Sequence, residues 1–265
     1  SAVPERTDAM LLSSLEHALS RPTRLVVCAH ASNICPATLP LAAIGRLCHA
    51  HGALFAVDAA QSAGVLDINM EEMQIDALAV PGHKGLYGPM GVGMLLLGKG
   101  IRPDTLLEGG NGLDSLSGGM GDDLPERYEP GTLPLPAIAG LRAGIEFVRR
   151  VTPEAIREKE TALGVFLRDA LTELPGVHVA VPHLAGGTVL FRADGVSSED
   201  IAARLDAAGS GICVRPGFHC AALAHRTLGT PEGGAVRASF GWFNTRRDAE
   251  QLIQSLRGGL PGRNG

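Results

Sequence analysis

A chain of 265 residues, 45% hydrophobic and 19% charged, is long enough to bury a real core and has a globular rather than a disordered balance. Its formal net charge of −5 gives no electrostatic reason to expect nucleic acid or an anionic membrane as partner. No apolar run approaches the roughly 18–20 residues that span a bilayer. The polar start at residues 1–10 does not read as a secretory signal, and the odd count of five cysteines argues for a reducing compartment, so the cytoplasm is expected.

The first half alternates helix and strand signals. Residues 8–19 have amphipathic helical spacing, 23–30 form a β-rich apolar run, and 40–51 are helical with Leu41, Ile44, Leu47 and Cys48 on one face. Short apolar runs at 54–57, 75–80 and 91–97 read as buried strands, the first ending at Asp58 and the second just before Pro81. Such strands between helices predict an α/β unit with a mainly parallel sheet sandwiched by helices. Residues 106–121, rich in glycine and serine, predict a long surface loop.

The second half predicts helices at 134–151 and 153–174, strands at 177–181 and 188–191, and a helix at 198–208. Strands follow at 212–215 and 235–240, then a closing helix at 246–256 and a Gly/Pro/Arg-rich tail expected to fray. This half reads as a smaller α+β domain. The expected division is a large domain over 1–133, a connecting helix over 134–152 and a small domain over 153–265.

The chemistry-bearing signal is Asp58-Ala59-Ala60-Gln61 followed by Gly82-His83-Lys84-Gly85. Both segments sit where a predicted strand stops, and ligands of open parallel sheets lie beyond the carboxyl ends of strands. A lysine that forms a Schiff base with a carbonyl cofactor, beside a carboxylate that holds a proton on a pyridine nitrogen, is the signature of pyridoxal-phosphate chemistry. Cys220, beside His219 and near Arg215, is the second signal, because cationic neighbours favour the thiolate and make a better nucleophile. Cys28, Cys35, Cys48 and Cys213 stand in apolar or helical contexts and read as small core residues. His219, Cys220 and His225 are close in sequence, but no CxxC or HxxxH spacing accompanies them, and no metal site is expected.

These segments resemble the class V aminotransferase family of fold-type I pyridoxal-phosphate enzymes, and within it the cysteine desulfurases. The resemblance runs in order through His30-Ala31-Ser32-Asn33, the Asp58 and Lys84 segments, Gly88-Pro89, Glu129-Pro130-Gly131-Thr132 and Arg215-Pro216-Gly217-Phe218-His219-Cys220. It ends with Val236-Arg237-Ala238-Ser239 and Phe243-Asn244-Thr245. It implies the pyridoxal-phosphate transferase fold with pyridoxal 5'-phosphate bound covalently to Lys84, which would also shuttle substrate protons. Asp58 would pair with the ring nitrogen, Gln61 with the phenolic oxygen, and His83 with the phosphate. Asn33 would lie near the phenolic oxygen and the substrate carboxylate, and Arg237 would clamp that carboxylate. Thr132 would reach the phosphate of the neighbouring subunit in a homodimer. Cys220, with His219 beside it, would take sulfur from L-cysteine as a persulfide, releasing L-alanine. The 17 positions from Cys220 to Arg237 resemble the branch with a short cysteine loop, whose members use a persulfide-acceptor protein.

The sequence departs from the family pattern in two places. Family members carry roughly a hundred more residues upstream, as expected for a two-domain enzyme of this class. Those residues hold a phosphate-binding turn at a helix N-terminus and an aromatic residue that stacks on the ring. A large domain completed by further residues, or by a companion chain, is therefore expected. Pro81 also stands where the family has a hydroxyl residue, and proline offers a phosphate neither O–H nor N–H. Two alternatives stay open: a selenocysteine lyase or other class V enzyme, and a non-catalytic fragment of the same fold that serves as a binding subunit.

Overall fold

The computed structural model describes residues 7–112, 119–207, 211–230 and 233–258. Helix α1 (Asp8–Leu19), capped by Thr7, leads into β1 (Leu25–Ala29). Helix α2 (Leu41–Ala50) and strands β2 (Leu54–Asp58), β3 (Ala77–Pro81) and β4 (Gly93–Leu97) follow. They form one sheet in the order β1-β2-β3-β4. The first three strands are parallel and β4 returns antiparallel to β3. Parallel neighbours need crossovers, and α2 supplies the one between β1 and β2. Phe55, Val57, Leu78 and Val80 pack with Leu41, Ile44 and Cys48 of α2 in one core. Residues of the opposite sheet face, Leu25, Val27, Leu54 and Leu95, are 43–66% exposed.

A short 3₁₀ helix (Glu126–Tyr128) precedes α3 (Leu135–Val151) and α4 (Pro153–Thr172). Then come β5 (Val177–Val179), β6 (Thr188–Ala193), α5 (Ser198–Ala207), α6 (Ala222–Thr227), β7 (Val236–Ser239) and α7 (Arg246–Arg257). The second sheet is antiparallel, ordered β5-β6-β7. Helices α4, α5 and α7 close over Val189, Phe191 and Val236.

The expected α/β architecture is present, with an antiparallel sheet in the second half. Four local expectations are corrected. Residues 212–215 form no strand; the segment contributes one bridge, between Arg215 and Arg237. Helix α6 appears where none was expected: it has six residues and its N-cap position, Ala221, offers no capping side chain. Cys213, expected in a core, is exposed, while Cys35 and Cys48 are buried and Cys28 is partly buried. Pro81 is the last residue of β3 rather than the first beyond it. Its missing N–H is tolerated there because pairing with β2 has already ended at Ala79. The middle of the expected 106–121 loop and most of the expected frayed tail lie outside the described residues.

Candidate active site

The lysine side of the site is built by two turns at the carboxyl ends of β2 and β3. After β2, Asp58 Oδ1 accepts a hydrogen bond from the Ala60 N–H at 2.8 Å and starts the turn that carries Gln61. After β3, the loop that carries Lys84 closes on itself. The Gly82 N–H donates to Val92 O (2.9 Å), Tyr87 N–H to Lys84 O (2.9 Å) and Gly88 N–H to Gly82 O (2.8 Å). The two turns touch backbone to backbone: a Cβ on Gly85 would collide with Ala63 O, and one on Gly64 with Gly85 O. Gly144 lets α3 lie equally close on the far side, where a Cβ would strike Leu86 O. Lys84 is thus held between glycine contacts.

The cysteine side is the loop 215–220, which leaves β7's edge and ends at α6. Arg215 pairs with Arg237 through two backbone hydrogen bonds of 3.0 and 2.8 Å. His219 (φ 54°) and Cys220 (φ 62°) are both left-handed. That conformation costs a non-glycine residue about 1–2 kcal/mol, so contacts must enforce it. Asn33 Nδ2 donates to His219 O at 2.7 Å, and Arg237 Nη1 donates to Asn33 O at 2.7 Å. Both ring nitrogens of His219 are engaged, one 2.7 Å from Arg215 O and the other 3.1 Å from His225 Nε2.

The two sides meet at a cavity of about 570 Å³ whose lining includes Asn33, Gln61, Lys84, Glu160, Cys220 and Arg237. Residues far apart in sequence are thereby gathered from both sheets. Among the described residues, Lys84 Nζ makes no hydrogen bond or ion pair. Burial, and next the Arg215 guanidinium, push Arg237 below its usual range, and its Nε is buried without a hydrogen-bond partner. Burial raises Glu160 to about 7. A second cavity of about 610 Å³ adjoins the first, sharing Gln61, Val65, Glu160 and Thr188. Asp58, His83 and Thr132 are exposed and stand outside the lining of the first cavity.

The seam between the two sheets is stitched beside this cavity. Tyr87 Oη accepts the Trp242 N–H at 2.9 Å, and Lys159 Nζ donates to Trp242 O at 2.6 Å while lying 4.8 Å from the indole centroid. Tyr87, Phe147 and Phe243 form an aromatic trio over the same seam.

The family model described as Aminotransferase class-V matches residues 4–252. The chain belongs to the class-V aminotransferase family. It is 34% identical to a probable cysteine desulfurase of Methanothermobacter thermautotrophicus over 91% of this chain and 62% of that protein. The structure of the cysteine desulfurase from Thermococcus onnurineus NA1 superposes with a TM-score of 0.82 at 31% identity, covering 97% of this chain and 64% of that one. A cysteine desulfurase of Escherichia coli gives 0.84 at 26% identity, covering 93% and 61%. The chain spans about three-fifths of the length of these relatives.

Sequence reasoning left Tyr87 and Glu160 of this family member unnoticed and weighed His225 only as a metal ligand. Tyr87 could have been found from its place three residues after Lys84 in a closed turn. Nothing in the charged run Arg157-Glu158-Lys159-Glu160 singles out the carboxylate that faces inward. Among the described residues no group of histidine, cysteine and carboxylate side chains is arranged to hold a metal ion.

Proposed function

We propose that the whole protein is a pyridoxal-phosphate-dependent cysteine desulfurase that takes sulfur from L-cysteine onto Cys220 and releases L-alanine. The observation that carries this reading is the convergence of Lys84, Asn33, Gln61, Arg237 and Cys220 on one cavity. Relatives named as cysteine desulfurases support it.

The donor set fits a carbonyl cofactor carrying an amino acid. It offers an amine free of competing partners among the described residues, two amides, and an arginine whose buried Nε lacks a partner. When bound, pyridoxal phosphate supplies an electron sink for the substrate's carbon framework. Lys84 would hold the cofactor at its carbonyl carbon and would carry protons to and from the substrate Cα. Arg237 receives the substrate carboxylate, a task suited to a planar, permanently charged fork. Asn33 and Gln61 would orient the phenolic side of the ring. By the family motif, Asp58 would serve the ring nitrogen, His83 the phosphate, and Thr132 the phosphate of a neighbouring subunit in a homodimer, although these three stand outside the cavity lining.

Cys220 Sγ forms an S–S bond with the substrate sulfur as the substrate's Cβ–S bond breaks. The electron pair stays on the carbon framework, which is protonated and leaves as L-alanine. A thiol-bearing acceptor protein then takes the outer sulfur. In this reading residues 1–133 belong to the cofactor domain, 134–152 connect, and 153–265 carry the nucleophile.

The test is alanine and sulfide release from L-cysteine by the whole protein with added pyridoxal phosphate. Cys220→Ser should lower sulfur release by about two to three orders of magnitude. Borohydride reduction should fix the cofactor on Lys84. Full activity of Cys220→Ser, or a fixed label on another residue, would overturn the assignment.

A further inference from the structure

His219 and His225 are 7% and 1% exposed and lie ring against ring, with centroids 5.3 Å apart and planes 28° from parallel. They form one continuous chain of polar contacts: Arg215 O, His219 Nε2 (2.7 Å), His219 Nδ1 to His225 Nε2 (3.1 Å), and His225 Nδ1 to Thr230 Oγ1 (2.8 Å). Its proton order follows from the acceptor at one end and the charge state of the two rings. Arg215 O only accepts, so His219 Nε2 carries the hydrogen. Burial holds both rings below their usual range; at His219 the Arg237 and Arg215 guanidiniums add to this against the raising effect of the Arg215 carbonyl, so both rings are neutral. His219 Nδ1 is then an acceptor and His225 Nε2–H its donor. His225 Nδ1 in turn accepts from the Thr230 hydroxyl, whose single hydrogen goes to this nearer acceptor at 2.8 Å rather than to His225 O at 3.1 Å. Every donor in the chain meets an acceptor.

The ends of this chain matter. Arg215 O also accepts the Arg237 N–H at 2.8 Å, and the His219 carbonyl accepts from Asn33. The left-handed pair His219 and Cys220 is therefore fastened from the ring side and from the backbone side at once.

We propose that Thr230, His225 and His219 form a neutral one-way relay that fixes the left-handed turn at Cys220 and so aims its thiol into the cavity. His219 is then a positioning residue, not the catalytic group its place beside Cys220 implied, and His225 positions it. The proposal rests on the reading of Cys220 as sulfur acceptor, but its test does not require turnover.

Long-range ¹H–¹⁵N spectra of the histidine-labelled protein at pH 7 should show both rings as neutral Nε2–H tautomers, assigned by loss of signals in His219→Asn and His225→Gln. Hydrogen exchange of peptides covering 215–221 gives a second measure. His225→Leu removes the donor and should speed exchange about tenfold. His225→Gln, whose amide N–H can stand where Nε2–H stood, should stay within about twofold of the parent. Thr230→Val, nearly isosteric, should give an intermediate increase. An Nδ1–H or cationic His219, or His225→Gln exchanging as fast as His225→Leu, would overturn the relay. If the tautomers are as stated while Cys220→Ser keeps full sulfur release, the relay stands and the sulfur-acceptor reading falls.

Discussion

Strand β6 of the three-stranded sheet is buried on both sides. Val189, Phe191 and Ala193 face α4, α5 and α7, and Leu190 packs with Ile34, Cys35 and Val181. Among the described residues the four-stranded sheet is covered on one side only: Leu25, Val27, Leu54 and Leu95 leave its other face apolar and open. The sheet of the Cys220 half is thus covered on both sides, with Ile34 and Cys35 of the Lys84 half supplying part of the second cover, whereas the sheet of the Lys84 half rests on one layer of helices. Since parallel sheets ordinarily have both faces covered, stability in this 265-residue chain should be unevenly shared between the two.

The strongest way to break that comparison is to cut each sheet once. Phe191→Ala should cost about 3–5 kcal/mol, and Val27→Ala should stay within about 0.5 kcal/mol, both read from denaturant midpoints. Comparable losses would show the open face to be covered in solution. Gly144→Ala comes next. Its new Cβ meets Leu86 O, which is backbone and cannot swing away, so overpacking should cost about 1–3 kcal/mol and disturb the Lys84 turn.

Glu160 probes the seam. Its folded-state value of about 7 lies above the ordinary 4.5, so the folded chain binds more protons between those two values. Stability should therefore fall as pH rises through that window and level off above it. Glu160→Gln should flatten this fall, leaving the variant ahead by about 1 kcal/mol at pH 8 after allowance for the side chain's partial exposure. A pH-independent difference would refute the assignment. An effect of similar size is expected at α7, where Thr245 and Asp248 form a capping box. Thr245→Ala should cost about 1 kcal/mol by thermal melt.

Much of the fold was legible because apolar periodicity and burial coincide. Residues 8–19 form α1 as spaced, and Leu41, Ile44 and Cys48 face the core as their helical stripe required. Failures occurred where tertiary contact overrides local pattern. The apolar residues at 212–215 suggested a strand, yet Cys213 is exposed and pairing with β7 is a single bridge, directly before Pro216. For the candidate site, motifs picked out Lys84, Cys220 and Arg237, which line one cavity, because each stands in a distinctive segment. They could not reveal that both His219 nitrogens are spent inside the loop, nor that Glu160 faces the cavity. Those facts depend on residues brought together from distant parts of the chain.

Trp242 is the single tryptophan of the sequence. It is held by Tyr87 from one half and by the Lys159 ammonium from the other. Its emission is consequently a native optical gauge of that junction. Anything that draws the two halves apart should change the intensity and colour of one indole, with no dye attached.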